Sequence, residues 1–181
     1  WPVDHLVHEL KFGGSWPVAR VFGHLLASAR RPLGAPWPDV IIPVPLHPLR
    51  LAERGFNQSE HIARVAAIAL GIPLAVGVLQ RRRYTATQSR LNAMARRENL
   101  HGAFSANLRA FAALHAQLHA PLPAQSRRVA LVDDVYTTGS TLAAATHALR
   151  LAGIKEVEWW AAARAPPPPE RPDQETNAGY K

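Results

Sequence analysis

Cysteine is missing altogether from the 181 residues. That excludes a disulfide framework and any thiolate metal site. Long apolar runs are missing too: none reaches the roughly 18 to 20 residues that a membrane-spanning helix needs. No charged N-terminal segment leads into a continuous apolar core, so the sequence reads as having no signal peptide. The first residue is Trp1 rather than Met, which reads as a fragment or processed form. Together these absences favour the cytoplasm. Lysine is scarce: of the 21 basic residues, 18 are arginine, and the net charge is +8. A preference for Arg and Ala codons accounts for part of this, so position is more informative than count. Arg81, Arg82, Arg83, Arg90, Arg96 and Arg97 fall in one stretch that holds no acid. Planar guanidinium forks suit phosphate, and such a stretch suits a polyanion or pyrophosphate, or else a solvated basic face.

What is present alternates between two periods. Residues 3–11 and 17–30 read as short amphipathic helices separated by Gly13-Gly14, with Pro17 in a first turn. "DVIIPVP" (39–45) reads as a buried strand, followed by the loop "LHPLRLAERGF". A helix then begins at Asn57, whose spacing to Glu60 resembles a capping box, and closes at Gly71. "PLAVGVLQ" (73–80) is a second strand candidate, and the arginine-rich segment 81–99 is loop and then helix. Residues 105–126 read as a variable connection. His115 and His119 there are spaced for one helix face, but no third metal ligand accompanies them. "RRVALVDD" (127–134) has the continuous apolar run of a parallel strand covered on both faces. A helix ending at Gly153 and the strand "EVEWWAAA" (156–163) follow. Adjacent Trp159 and Trp160 must face opposite sides, so one belongs to the core and the other could stack a base. From Pro166 the chain reads as a Pro-rich flexible tail, 166–181, behind one domain of residues 1–165. The class is α/β with a mostly parallel twisted sheet flanked by helices. Ligands in such sheets sit at the strands' carboxyl ends, where both "PVPLHPLRLAERGFNQ" and "DDVYTTGST" fall.

The second of those loops holds two chemistries. Thr137, Thr138, Gly139, Ser140 and Thr141 run into a helix start, where amide donors and the helix dipole favour an anion. Gly139 permits close backbone approach. There is no lysine for a nucleoside-triphosphate P-loop and only one glycine, so neither common phosphate fingerprint is met. Asp133 and Asp134 would repel a phosphate that touched them. Their natural partners are vicinal sugar hydroxyls or a Mg2+ ion bridged to those hydroxyls. Phosphate in the loop and a diol on the acids describe a ribose 5-phosphate. A simple helix cap would explain one or two of these residues, but not the acids and the threonine pair together.

"VALVDDVYTTGST" resembles the ribose-phosphate motif of type I phosphoribosyltransferases, which bind phosphoribosyl pyrophosphate (PRPP). Over about residues 9–164 the chain is more narrowly similar to the competence protein F (ComF), or GntX-type, family. The matching stretches are "ELKFGG", "DVIIPVPLHPLRLAERGFNQSEHIA", Thr85 with Gln88 and Leu91, Arg96 with Asn99, "GAF" at 102–104, and the ribose-phosphate loop. The resemblance implies a type I phosphoribosyltransferase-like fold and a link to DNA uptake and natural transformation. It implies Asp133 and Asp134 as catalytic residues and Thr137–Thr141 as the 5-phosphate site. Arg50, Arg54, Gly55 and Asn57 would form the pyrophosphate loop, and Thr85, Gln88, Arg96 and Asn99 a flexible loop closing over the ligand. Residues 1–31 would be a hood. Mg2+ would arrive with PRPP, possible ligands being Asp133 and Asp134. The four-cysteine zinc ribbon usual in this family has no counterpart here, so no zinc is expected in this chain. Nothing in the sequence identifies an acceptor, and a lone His47 in a Pro-flanked turn reads as structural. The other reading is a non-catalytic module that senses PRPP or a nucleotide and engages single-stranded DNA or a competence helicase.

Overall fold

The computed structural model describes residues 2–84, 102–107, 109–110, 112–113 and 128–165. Thr85, Gln88, Arg90, Arg96, Arg97 and Asn99, the His115–His119 pair and the tail 166–181 lie outside the described residues. Helices α1 (Pro2–Gly13) and α2 (Trp16–Arg30) form a hairpin. Strand β1 (Val40–Pro43) leads to α3 (Pro48–Arg54) and α4 (Gln58–Leu70). A short ribbon, β2 (Leu79–Arg81) and β3 (Phe104–Ala106), is antiparallel. Then come β4 (Arg128–Tyr136), α5 (Ser140–Leu151) and β5 (Glu156–Arg164).

The main sheet has the order β1-β4-β5 and both ladders are parallel. Val129 to Val132 in the central strand are fully buried, because helices cover both faces. Alternation then sorts the side chains into two cores. Val129 and Leu131 pack with Val40, Ile42, Leu142 and Leu149 on the α5 side. Ala130, Val132, Ile41 and Trp160 pack with Phe22, Ile62 and Ala66 on the side of α2 and α4. Those two helices approach closely at Gly23, where an added Cβ would lie 2.5 Å from Val65 Cβ.

Three local expectations are corrected. "PLAVGVLQ" is not one strand: Leu74 makes a single parallel bridge to Ile41, Gly77 turns at φ 81°, and only Leu79 onward pairs, with β3. The "LHPLRLAERGF" loop contains helix α3, capped by His47 Nδ1 accepting from Leu49 N at 3.3 Å and ended by Gly55 at φ 78°. Asn57 does cap α4, accepting from Ser59 N at 3.2 Å. Its partner Glu60 does not complete a capping box: it pairs with Arg64 one turn on, at 2.7 Å. Among the described residues, no helix is long and apolar enough to cross a membrane.

Candidate functional site

Pairing of β1 with β4 puts the two loops side by side at the carboxyl end of the sheet, and the register Pro43↔Val132 sets the alignment. Asn57 holds the first loop against the sheet, donating from Nδ2 to Val44 O at 3.1 Å. The next two residues reach the acid pair. Gln58 Nε2 donates to Asp134 Oδ2 at 3.1 Å, and Ser59 Oγ donates to Asp133 Oδ1 at 3.0 Å. The backbone adds Asp134 N to Asp133 Oδ1 at 2.9 Å and Val135 N to Asp134 Oδ1 at 2.8 Å. Both carboxylates are thus buried, adjacent and fixed in direction. Burial, and then the neighbouring Asp134 charge, push the Asp133 carboxyl up to about 7. Two carboxylates in one dry site hold a proton more tightly than either would in water.

Cations surround this pair. Arg54 Nη1 donates to Gln58 Oε1 at 2.8 Å, which links it to Asp134 through one amide. Burial and Arg50 lower the pKa of Arg54, and Asp134 opposes them. Arg81, at the end of β2, is lowered by burial and by Arg50, against Asp133. Arg50 lies over the Tyr84 ring at 5.7 Å, and Arg81 over Phe104 at 5.5 Å. Arg54 and Arg81, both partly desolvated, therefore each face one of the two carboxylates, and Arg50 adds a third positive charge beside them. Such crowding of like charge marks a place for an anion.

The threonine loop follows directly. Gly139 caps α5 at φ 73° with no side-chain capping bond, so the amides of the first turn are not taken by a cap side chain. Thr138 Oγ1 and Ser140 Oγ are 2.8 Å apart. Thr137 is exposed, Thr138 and Thr141 half-buried, and Gly139 and Ser140 buried. A Cβ on Gly139 would stand 3.0 Å from Tyr136 Cε2 and Oη. Tyr136 thus forms the back of the loop.

Of the residues named from sequence, Arg54, Asn57, Asp133 and Asp134 converge in one hydrogen-bonded cluster. Arg50 joins by charge and Gly55 by turning the chain into it. Sequence reasoning missed Gln58 and Ser59, which it read only as helix start, and it placed Arg81 in a basic stretch suited to a polyanion or pyrophosphate without singling it out from its neighbours. The signal for the first two was polar side chains at a helix N-terminus placed next to a strand end. His47, read from sequence only as structural, is the cap of α3 and stands edge-on to Tyr84 with ring centres 5.2 Å apart. Trp160 is core and Trp159 is 42% exposed, as strand alternation required.

A Mg2+ ion arriving with a sugar-phosphate ligand would meet these same residues. Among the described residues no cluster of three or more His, Asp or Glu could hold one alone. Mg2+ does not need one: it is commonly bound by one or two carboxylates plus substrate oxygens and water. Asp133 and Asp134 fit that pattern.

No protein-family model matches the chain. Competence protein F of Haemophilus influenzae is 36% identical over 168 residues, 91% of this chain and 69% of that protein. DNA utilization protein YhgH of Salmonella typhi is 37% identical over 167 residues, and that of Escherichia coli K12 35%, each covering 90% of this chain and 67% of the relative. Among solved structures, the chain is similar to a purine phosphoribosyltransferase from Pyrococcus horikoshii, with 22% identity, TM-score 0.43, and 84% of this chain and 76% of that one covered. It is also similar to the adenine phosphoribosyltransferase of Leishmania tarentolae, with 18% identity, TM-score 0.45, and 82% and 58% covered.

Proposed function

The chain belongs to the family of competence protein F and DNA utilization protein YhgH, and we propose that it serves DNA uptake by binding PRPP with Mg2+ and transferring its phosphoribosyl group. The observation that carries this reading is the acid pair Asp133–Asp134, fixed by Ser59 and Gln58 next to the Thr137–Thr141 loop. The 5-phosphate would take the loop amides and hydroxyls, and the ribose diol the carboxylates. Pyrophosphate would face Arg50, Arg54 and Arg81.

Transfer breaks the bond from C1 to the pyrophosphate oxygen and forms one from C1 to an acceptor nitrogen. Charge builds on the departing pyrophosphate, and preorganised guanidiniums stabilise it most in the transition state. Mg2+, held by Asp133, Asp134 and ligand oxygens, would supply further charge neutralisation. Fixing the carboxylates by hydrogen bonds before the ligand arrives avoids reorganising them during the reaction.

Titration calorimetry of wild type and Asp134→Asn with PRPP tests this reading, with and without MgCl2. Wild type is expected to bind only with Mg2+, and Asp134→Asn about tenfold more weakly. Equal affinities for the two proteins, or no heat from either, would sink the assignment. Pyrophosphate release against a panel of bases and amines then separates turnover from binding alone.

A further inference from the structure

On the α5 side of the sheet, the core helix stops short of the outer strand. A cleft of about 410 Å3 remains between α5 and β5, lined by Ala143, Thr146, His147, Arg150, Val157 and Trp159. The spacing explains the lining. Positions 143, 146, 147 and 150 share one helix face, and 157 and 159 share one strand face. The volume lies within the ~300–1,000 Å3 of ordinary ligand sites. Among the described residues β5 is an edge strand of the main sheet, and the cleft opens along its outer side.

Among the described residues its chemistry is an aromatic plate beside an arginine and a histidine, with no acid in the lining. Trp159 Nε1 donates to Thr146 Oγ1 at 2.7 Å, which pins the indole and uses its only donor. What the indole of this exposed residue still offers is a π surface. Arg150 and His147 are exposed on the wall above it. The nearby acids face other partners: Glu156 pairs with Arg128, and Glu158 with Arg30. The plate also continues along the strand. Tyr136 lies 6.5 Å from Trp159, ring centre to ring centre, and Arg164 sits over Tyr136 at 5.8 Å. Two aromatic rings between two arginines make a track rather than a closed pocket.

We infer that this cleft binds an unpaired nucleobase and its adjoining phosphate as a single nucleic-acid strand presents them, with the base on Trp159 and phosphates on Arg150 and Arg164. Stacking on a pinned ring is indifferent to base identity, and flanking arginines follow the backbone. A duplex hides its base faces and offers nothing to the indole. A free nucleotide would fill only one end of the track. The track shares Tyr136 with the back of the threonine loop, but Trp159 and Arg150 lie outside that loop, and the inference does not depend on which ligand the loop takes.

Fluorescence anisotropy of labelled oligothymidylate tests it on the whole chain, comparing wild type, Trp159→Ala, Trp159→Phe and Arg150→Ala. Trp159→Ala is expected to weaken binding about tenfold, and Trp159→Phe less than about threefold, since a phenyl ring keeps a stacking face. Arg150→Ala should lower the slope of log affinity against log salt by about 1. Arg150 is an exposed helix position, so its variant decides the matter if Trp159→Ala does not fold. Wild-type affinity and salt slope in Arg150→Ala, together with wild-type affinity in a folded Trp159→Ala, would overturn the site. So would a duplex of the same sequence that binds as tightly, or thymidine monophosphate that displaces the strand at equal nucleotide concentration.

Discussion

Gln58 at the start of α4 donates from Nε2 to Asp134 Oδ2 at 3.1 Å, across 76 positions of sequence. Its other amide atom accepts from Arg54 at 2.8 Å. One neutral side chain therefore bonds both a cation and a buried carboxylate. The amide fixes the Arg54 guanidinium and the Asp134 carboxylate relative to each other, and Asp134 also acts on Arg54 by charge. Gln58→Ala strips a donor from a buried carboxylate, which costs about 1–3 kcal/mol. We expect that loss in urea unfolding, and PRPP affinity reduced about tenfold by calorimetry. Wild-type values in both measurements would remove Gln58 from the site.

The raised Asp133 carboxyl gives a pH dependence with a definite sign. Its pKa is 3.8 unperturbed and about 7 in the fold. Between those values the folded state binds more protons than the unfolded one, so this group's contribution to stability falls as pH rises. Asp133→Asn removes the charge and keeps an oxygen for Ser59 and the Asp134 amide. The variant should melt higher than wild type by several degrees at pH 8 and by much less at pH 5, at about 2–4 °C per kcal/mol for a chain of this size. It should also lose PRPP binding. Wild-type PRPP affinity should climb as pH rises through about 7. Melting differences that are the same at both pH values would rule out the buried-proton account.

The sequence reported long-period features well. β4 was legible because buried parallel strands are continuously apolar, and α4 because Asn57 and Gly71 mark its ends. The acid pair was legible because its neighbours in sequence are also its neighbours in the loop. Contacts made between distant segments were not. Ser59 and Gln58 look like ordinary first-turn residues until β1 and β4 pair and bring α4 onto Asp133 and Asp134. Arg81 lies among Arg82 and Arg83 in sequence, and only the short β2–β3 ribbon separates it from them, directing it toward Arg50 while Arg82 and Arg83 stay exposed. β3 itself is three residues long, too short for period-two alternation to register.

Two glycines with the same backbone geometry separate strain from packing. Gly55 and Gly139 both have φ near +75°, at 78° and 73°. A Cβ at Gly55 would meet nothing within 4 Å, whereas at Gly139 it would meet the Tyr136 ring at 3.0 Å. Both Gly→Ala variants carry the left-handed backbone cost, about 1–2 kcal/mol. Gly139→Ala must also push Tyr136 away from the back of the threonine loop. It should therefore be the less stable of the two in urea unfolding, and the difference measures the Tyr136 contact. Ribose 5-phosphate binding should fall further in Gly139→Ala than in Gly55→Ala, because the Thr137–Thr141 loop moves with Tyr136 while α3 does not. If the two variants lose stability equally, the ring accommodates the methyl group, and Tyr136 does not set the shape of the loop.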